Sequence, residues 1–215
     1  MSNEVVVVVS GGEAPSRDAA SEVPAGATVV AADSGLEHAR TLGLEVAVAV
    51  GDFDSASPEA VAAAERAGTR IERHATEKDE TDLELALDVA IELQPARIVV
   101  LAGRGGRLDH ELSSLLLLCS EKYASAQIDA LVGEARVQVV WNARELEGEP
   151  GELLTLLPAY GAAEGVRTEG LVYPLRGETL DSGSTRGVSN EFVGGTARVA
   201  LERGVLLAIR PRASE

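Results

Sequence analysis

The stretch Val46 to Ser55, VAVAVGDFDS, decides how the rest of this chain is read. Its first five residues are apolar, and Gly51 ends the run. A short apolar run bounded by glycine reads as a buried strand. Asp52 and Asp54 then fall where strand becomes loop. In an open parallel α/β sheet that carboxyl edge is where ligands bind. Two carboxylates one residue apart repel each other unless a cation or hydrogen-bond donors compensate. Oxygen ligands on a short loop suit Mg²⁺, and Mg²⁺ commonly arrives with phosphates.

Working outward, the same pattern repeats. Val5 to Val9 is β-branched throughout and reads as a central parallel strand, followed by Ser10-Gly11-Gly12. Thr28 to Ala32 is a second strand, ending at Asp33-Ser34-Gly35, and Leu36 to Leu42 a short helix. Ser57 and Pro58 open a helix that Gly68 closes, with the residue types expected at N-cap, first turn and C-cap. Arg70 to His74 is a further short strand. Thr81 and Glu84 have capping-box spacing at the start of a helix that Pro95 ends. Arg97 to Ala102 is a strand, Gly103 to Arg107 a glycine-rich loop, and Leu108 to Ser120 a helix. Gln127 to Val132 and Arg136 to Trp141 are two further strands. Strands alternating with helices mean βαβ units and a parallel sheet.

Near residue 145 the pattern changes. Leu153 to Leu157, Gly170 to Tyr173, Ala197 to Leu201 and Val205 to Ile209 are short β-prone runs punctuated by Gly and Pro. The expected architecture is therefore α/β. An N-terminal, open, mainly parallel Rossmann-like sheet with flanking helices occupies residues 1–146, and a smaller all-β, sandwich-like domain occupies 147–215.

Composition limits what such a protein binds. The net charge of −16 argues against nucleic acid and anionic membranes, both of which need a basic face. Lys78 and Lys122 are the only lysines, and a dense acidic surface with scarce lysine fits a high-salt organism, where self-repulsion is screened. Cys119 is the single cysteine, so no intrachain disulfide forms. Its place after the apolar run Leu115 to Leu118 reads as a buried thiol, and a cytoplasmic location fits this cysteine usage. The N-terminal run is too short and too acidic in its flank for a signal peptide, and no run approaches the ~20 apolar residues that span a bilayer.

The N-terminal half places acid and glycine at successive strand ends: Asp33, then Asp52 and Asp54, then Asp79 and Asp82, then the glycine loop with Arg107 and Asp109. Together these describe a cleft for nucleotide chemistry. Carboxylates hold Mg²⁺, backbone N–H groups and helix N-termini cradle the anion, and an Arg offsets charge on the transferring group. Gly105 and Gly106 let backbone approach phosphate closely, although no GK[ST] of a Walker loop occurs. Lys78, beside the acids, is a candidate phosphate contact. Duller readings exist for each: Asp54 as a turn former, Asp82 as a first-turn helix acid, Asp79 as a solvated charge, His110, His38 and His74 as structural residues, and Ser182 to Asn190 as a hairpin loop.

Five segments in order, ADSG (32–35), GDFDS (51–55), KDETD (78–82), GGRLDH (105–110) and STRGVSN (184–190), give the chain its resemblance to the thiamine pyrophosphokinase family. The resemblance spans nearly the whole chain. It implies an α/β nucleotide-binding domain with a C-terminal β-sandwich and a homodimer. It also implies Mg²⁺-dependent transfer of pyrophosphate from ATP to the hydroxyl of thiamine, leaving AMP. By position it makes Asp52, Asp54 and Asp82 the metal and catalytic acids, with Asp33 a further acid of the cleft. It makes Arg107 catalytic. Lys78, Thr81, Asp109 and the glycines 11, 12, 105 and 106 fall on the ATP side, and Tyr173, Ser189 and Asn190 on the thiamine side, reached across the dimer. Two positions depart from the family pattern: Ser34 stands where glycine is usual, and Tyr173 where Trp often precedes the Pro-Leu step. Alternatives are a pyrophosphokinase acting on a hydroxymethyl pterin and a non-catalytic nucleotide- or thiamine-binding module. A metal-dependent phosphohydrolase would leave the β module unexplained, and the sequence after Val9 lacks the GxGxxG of a dinucleotide oxidoreductase.

Overall fold

The computed structural model describes residues 5–211. Within it the chain divides into two compact units. The first comprises residues 5–117 and Ser125–Gly133, the second Leu118–Ala124 and the chain from Glu134 onward.

In the first unit the apolar runs become strands. They are β1 (Val5–Val9), β2 (Thr28–Ala32), β3 (Val48–Gly51), β4 (Arg70–Arg73), β5 (Arg97–Ala102) and β6 (Gln127–Val132). They lie in the order β4-β3-β2-β1-β5-β6, and every neighbouring pair is parallel. Because these strands are all parallel, the loops after β1, β2, β3 and β5 leave the same carboxyl edge, and the strand order reverses at β1. Val6, Val7, Val8 and Val9 are all fully buried, which is why β1 is apolar on both faces rather than alternating.

The helices are α1 (Gly35–Thr41), α2 (Pro58–Ala67), α3 (Asp82–Glu92) and α4 (Leu108–Leu117). Ser57 caps α2 by accepting the Ala60 N–H, and Thr81 caps α3 by accepting the Glu84 N–H at 3.2 Å. Gly68 ends α2 in the left-handed region at φ 96°. On one face of the sheet Val7, Val9 and Val29 pack with Ala39 and Leu42 of the α1 segment. Leu83, Leu85, Ala86, Leu87, Val89 and Ala90 are the buried residues of α3, which lies against β1, β2 and β3. By contrast α4 has no buried residue, and Leu108, Leu112 and Leu116 form an exposed stripe at i, i+4, i+8. The helix expected over 108–120 stops at Leu117, and Glu121–Tyr123 forms a 3-10 turn capped by Ser120.

The second unit is all β apart from that turn. Its strands are β7 (Ala135–Val140), β8 (Ala143–Glu147), β9 (Leu153–Glu169), β10 (Arg176–Leu180), β11 (Asn190–Glu191), β12 (Thr196–Ala200) and β13 (Arg203–Arg210). β9, 17 residues long, organises them. Its first part pairs with β13, which pairs in turn with β7; its last part pairs with β10 and β12, and β12 with β8. All these pairings are antiparallel. The strands bury a common cluster that includes Leu146, Leu154, Leu156, Val166, Phe192 and Leu206. The run expected at Leu153 to Leu157 is thus the start of a much longer strand. Of Gly170 to Tyr173, Leu171 makes an isolated bridge to Phe192, and a strand not foreseen forms at β8.

Candidate active site

The carboxyl edge of the parallel sheet gathers the acids. The Asp33 N–H donates to the Val50 carbonyl at 2.9 Å, which ties the end of β2 to the end of β3. A Cβ added to Gly51 would lie 3.1 Å from Asp82 Oδ1 and 3.3 Å from the Asp33 Cα, so the small residue lets three chain segments converge there. Asp33, Asp52 and Asp54 each offer a carboxylate oxygen, and these oxygens lie within 4.8 Å of one another. Asp33 Oδ1 is buried and has no hydrogen-bond partner among the described residues. Burial, opposed by the Ser34 N–H and reinforced by the charge on Asp82, holds the Asp33 carboxyl above the ordinary carboxylate range.

Asp52 behaves in the opposite way. Its burial is outweighed by the Asp54 N–H, which donates to Asp52 Oδ1 at 3.2 Å, and by Lys78, so its carboxyl is held low. Lys78 Nζ sits 3.4 Å from Asp52 Oδ2 and 3.1 Å from Asp82 Oδ1. Asp82 Oδ1 is buried without a directed hydrogen bond, and the nearby ammonium offsets its charge. Asp54, exposed on the loop, accepts the Ser55 hydroxyl at 2.9 Å. Phe53 between the two aspartates holds φ 59° while its ring is buried under the Arg73 guanidinium, 5.4 Å from the centroid. A bulky residue in the left-handed region is strained, and this one stands between two aspartates whose carboxylate oxygens converge. A cleft of about 210 Å³ lies beside Asp52, lined by Phe53, Ala56, Pro58, Val61 and Arg73 among others.

Two glycine loops flank the acids. The Gly12 N–H donates to Ser34 Oγ at 3.2 Å, so the serine that replaces the usual glycine holds the first loop. His38 Nδ1 donates to the Ser10 carbonyl at 3.1 Å, a structural use of that histidine. The Gly103 N–H donates to the Glu13 carbonyl at 3.1 Å, and a Cβ on Gly103 would sit 2.2 Å from that oxygen, so the two loops touch backbone to backbone. At the second loop Gly105 and Gly106 adopt positive φ, and the Gly105 N–H reaches Glu111 Oε2 at 3.4 Å. Arg107 projects into solvent and grips Asp109 with two bonds, Nε to Oδ1 at 3.1 Å and Nη2 to Oδ2 at 2.6 Å. Those bonds, with the His110 N–H, press the Asp109 carboxyl down to about 2.

In the second unit the Asn190 side chain is buried and clasps Tyr173. Asn190 Oδ1 accepts the Tyr173 N–H at 3.0 Å, and Nδ2 donates to the Tyr173 carbonyl at 2.7 Å. Ser189 stands at φ 58°, its N–H donating to Thr155 Oγ1 at 3.1 Å.

The structure therefore brings Asp33, Asp52 and Asp54 together as one set and pairs Asp82 with Lys78. Ser34 stood out in the sequence only as a departure from the family pattern, with no role attached to it. Glu111 and Arg73 were not singled out, because their contacts with Gly105 and with the Phe53 ring are set by the folded loops and not by local pattern.

Carboxylates and glycine loops on one edge of a parallel sheet define a phosphotransferase-type cleft. Residues 21–130 match the thiamin pyrophosphokinase catalytic domain and residues 144–206 the thiamin pyrophosphokinase vitamin B1 binding domain. The chain belongs to the thiamin pyrophosphokinase family, whose members are diphosphotransferases. It is 29% identical over 184 residues to the thiamine pyrophosphokinase of Bacillus subtilis (strain 168), covering 84% of this chain and 86% of that protein. Its fold is similar to the crystal structure of a Bacillus subtilis thiamine pyrophosphokinase, with a TM-score of 0.83 at 26% identity over 96% of this chain and 98% of that one. It is similar also to that of a Geobacillus thermodenitrificans thiamin pyrophosphokinase, with a TM-score of 0.82 at 26% identity over 98% and 99%. Among the described residues no helix is long and apolar enough to cross a membrane.

Proposed function

We propose that this chain transfers pyrophosphate from ATP to the hydroxyl of thiamine, giving thiamine diphosphate and AMP, with Mg²⁺ held at the acid cluster of a Rossmann-like nucleotide-binding sheet. The observation that carries the reading is the set Asp33, Asp52 and Asp54, whose oxygens converge within 4.8 Å while Asp33 Oδ1 is buried and lacks a hydrogen-bond partner. An all-oxygen, all-anionic donor set fits a hard divalent cation. Held by Asp33, Asp52 and Asp54, Mg²⁺ would supply the positive charge that offsets what builds on the transferring group.

The residues divide the remaining work. Gly11, Gly12, Gly105 and Gly106, which carry no side chain, let the phosphates approach the backbone of the two loops, and Arg107, freed from Asp109, meets the triphosphate. Thr81, at the N-cap of α3, and Asp109, which poises Arg107, complete the ATP side. The thiamine oxygen attacks the β-phosphorus in line, the new O–P bond forms as the α–β bridging bond breaks, and AMP leaves. Asp54 is the exposed carboxylate of the cluster, so it is placed to take the hydroxyl proton, with Asp82 the other candidate. Tyr173, Ser189 and Asn190 form the acceptor side, and the match of residues 144–206 to a vitamin B1 binding domain favours thiamine over a pterin alcohol. The working form is a homodimer in which a second copy covers the exposed stripe Leu108, Leu112 and Leu116. The net charge of −16 suits concentrated salt.

The test is incubation of the purified chain with ATP, Mg²⁺ and thiamine in concentrated KCl, reading AMP and thiamine diphosphate by chromatography. Equal amounts of the two products are expected. AMP formed only when a hydroxymethyl pterin replaces thiamine, or no AMP with either alcohol, overturns the assignment. Asp52→Asn and Asp54→Asn are each expected to lower kcat/KM by about 10²-fold or more while leaving the fold intact, the scale for removal of one charge-stabilising group.

A further inference from the structure

We propose that Lys78 is the built-in counter-ion of the acid cleft, which neutralises Asp52 and Asp82 while no divalent cation is bound and yields Asp52 when one binds. The inference rests on the metal reading given above and concerns what this chain does before the metal arrives.

Asp52 is the shared member of two arrangements. On one side it belongs to the set with Asp33 and Asp54; on the other its Oδ2 faces the Lys78 ammonium at 3.4 Å. The second contact of that ammonium, 3.1 Å to Asp82 Oδ1, lies outside the set and runs from the loop before α3 to the first residue of that helix. All of this is sheltered: the Lys78 side chain is 13% exposed, that of Asp52 9% and that of Asp82 28%. The sheltered carboxylates of Asp33 and Asp52 would otherwise repel each other and their neighbours Asp54 and Asp82, a condition that costs more as burial increases. A lysine so placed offsets that repulsion in the empty cleft.

The same position makes Lys78 a competitor. A dication drawn in by Asp33, Asp52 and Asp54 puts like charge next to the ammonium, and the weaker, longer contact to Asp52 is the one that gives way. The tether to Asp82 remains. Lysine suits this exchange better than arginine, being a compact point charge on a flexible four-carbon stem rather than a planar fork that locks onto a carboxylate. Lysine is also rare here: apart from Lys78 the chain has only Lys122, and its other basic residues besides histidine are arginines. The displaced ammonium, still held at the mouth of the cleft by Asp82, then faces the phosphate oxygens that accompany the cation.

The experiment compares the full-length wild type with Lys78→Met and Lys78→Arg. Mn²⁺ affinity is read by electron paramagnetic resonance, and thermal melting is followed with and without saturating Mg²⁺. Lys78→Met is expected to bind Mn²⁺ about tenfold tighter than wild type, within the usual range for two coupled binding events. Without a divalent cation it should melt below wild type, and Mg²⁺ should remove the difference. Mn²⁺ affinity within about twofold of wild type, less than such coupling produces, overturns the proposal, as does an equal loss of melting temperature with and without Mg²⁺. If Lys78→Met folds only when Mg²⁺ is present, the proposal stands. If it folds under neither condition, Lys78→Arg decides: its forked grip on Asp52 should weaken Mn²⁺ binding, and unchanged affinity sinks the idea. Absence of Mn²⁺ binding by wild type overturns the metal reading itself and this inference with it, whereas equal binding by all three proteins overturns only the role of Lys78.

Discussion

The Asn190 side chain closes on the main chain of Tyr173 from both directions, accepting its N–H at 3.0 Å and donating to its carbonyl at 2.7 Å. Asn190 is buried while Tyr173 is 64% exposed, so a buried residue anchors an exposed one. Asn190 Oδ1 also accepts the Glu191 N–H at 2.9 Å, which uses both of its lone pairs on backbone. The Asn190 amide thus holds the Tyr173 segment in place.

Asn190→Ala is expected to raise KM for thiamine about tenfold with a smaller change in kcat, because it leaves partly buried main-chain groups of Tyr173 without their partner, a loss of about 1–3 kcal/mol. On the proposed function Tyr173→Ala should raise the same KM and Tyr173→Phe should not, the expectation for a substrate that stacks on the ring face, worth about 0.5–1.5 kcal/mol, and does not bond the hydroxyl. Steady-state kinetics at saturating ATP separate these outcomes. A rise in KM for ATP instead would place the segment elsewhere in the reaction.

Asp33 should be more useful to the reaction than to the fold. Burial raises its carboxyl above the ordinary value of 3.8, so its favourable contribution is present below that value and is lost as pH rises through the higher folded one. At neutral pH the ionised side chain is therefore a burden on the metal-free protein. Asp33→Asn is expected to raise the melting temperature at pH 7 without Mg²⁺, to lose that advantage near pH 4, and to bind Mg²⁺ less tightly. A lower melting temperature at pH 7 would contradict this account.

The Arg107–Asp109 pair is solvent-exposed, so it should matter to chemistry and not to stability. Arg107→Ala is expected to leave the melting curve unchanged while kcat/KM for ATP falls by about 10²-fold, the cost of losing one charge-stabilising donor. Asp109→Asn removes the restraint on the guanidinium and should leave stability likewise unchanged. Melting curves measured beside the kinetics give the answer.

Cys119 lies fully buried, and burial pushes its thiol from the ordinary 9.0 up to about 12. The unfolded chain deprotonates first, so this group's contribution to stability is present below pH 9 and falls as pH rises from 9 toward 12. Iodoacetamide near pH 9, the ordinary value, should label the denatured protein quickly and the native protein only at its rate of opening. Equal labelling of both forms, followed by mass spectrometry, would show that the thiol is accessible.

How much of this was legible in the chain follows from the range of the interactions involved. The parallel strands were readable because burial on both faces leaves uninterrupted apolar runs, as at Val5–Val9. The caps were readable because Ser57 and Thr81 bond N–H groups three residues on, inside one window of sequence. β9 was not: Pro158, Gly161 and Gly165 punctuate a strand that tertiary pairing with β13, β10 and β12 carries through. Its neighbours supply the hydrogen bonds and the buried face that local propensity lacks.

The same division runs through the cleft. That acids would collect on one sheet edge followed from where each sits at a strand end, a property of residue order alone. Which acids share a centre did not. Asp33 joins Asp52 and Asp54 because β2 and β3 are neighbours in the sheet, and Lys78 reaches Asp52 across 26 residues of chain. Likewise Asn190 meets Tyr173 across 17 residues. The chain by itself determined its class of fold, its family and the chemical types in its cleft, all of which rest on local pattern. The grouping of carboxylates, the lysine between them and the grip on Tyr173 were decided by tertiary structure, because electrostatic and hydrogen-bond partners are chosen by distance in space and not by separation in sequence.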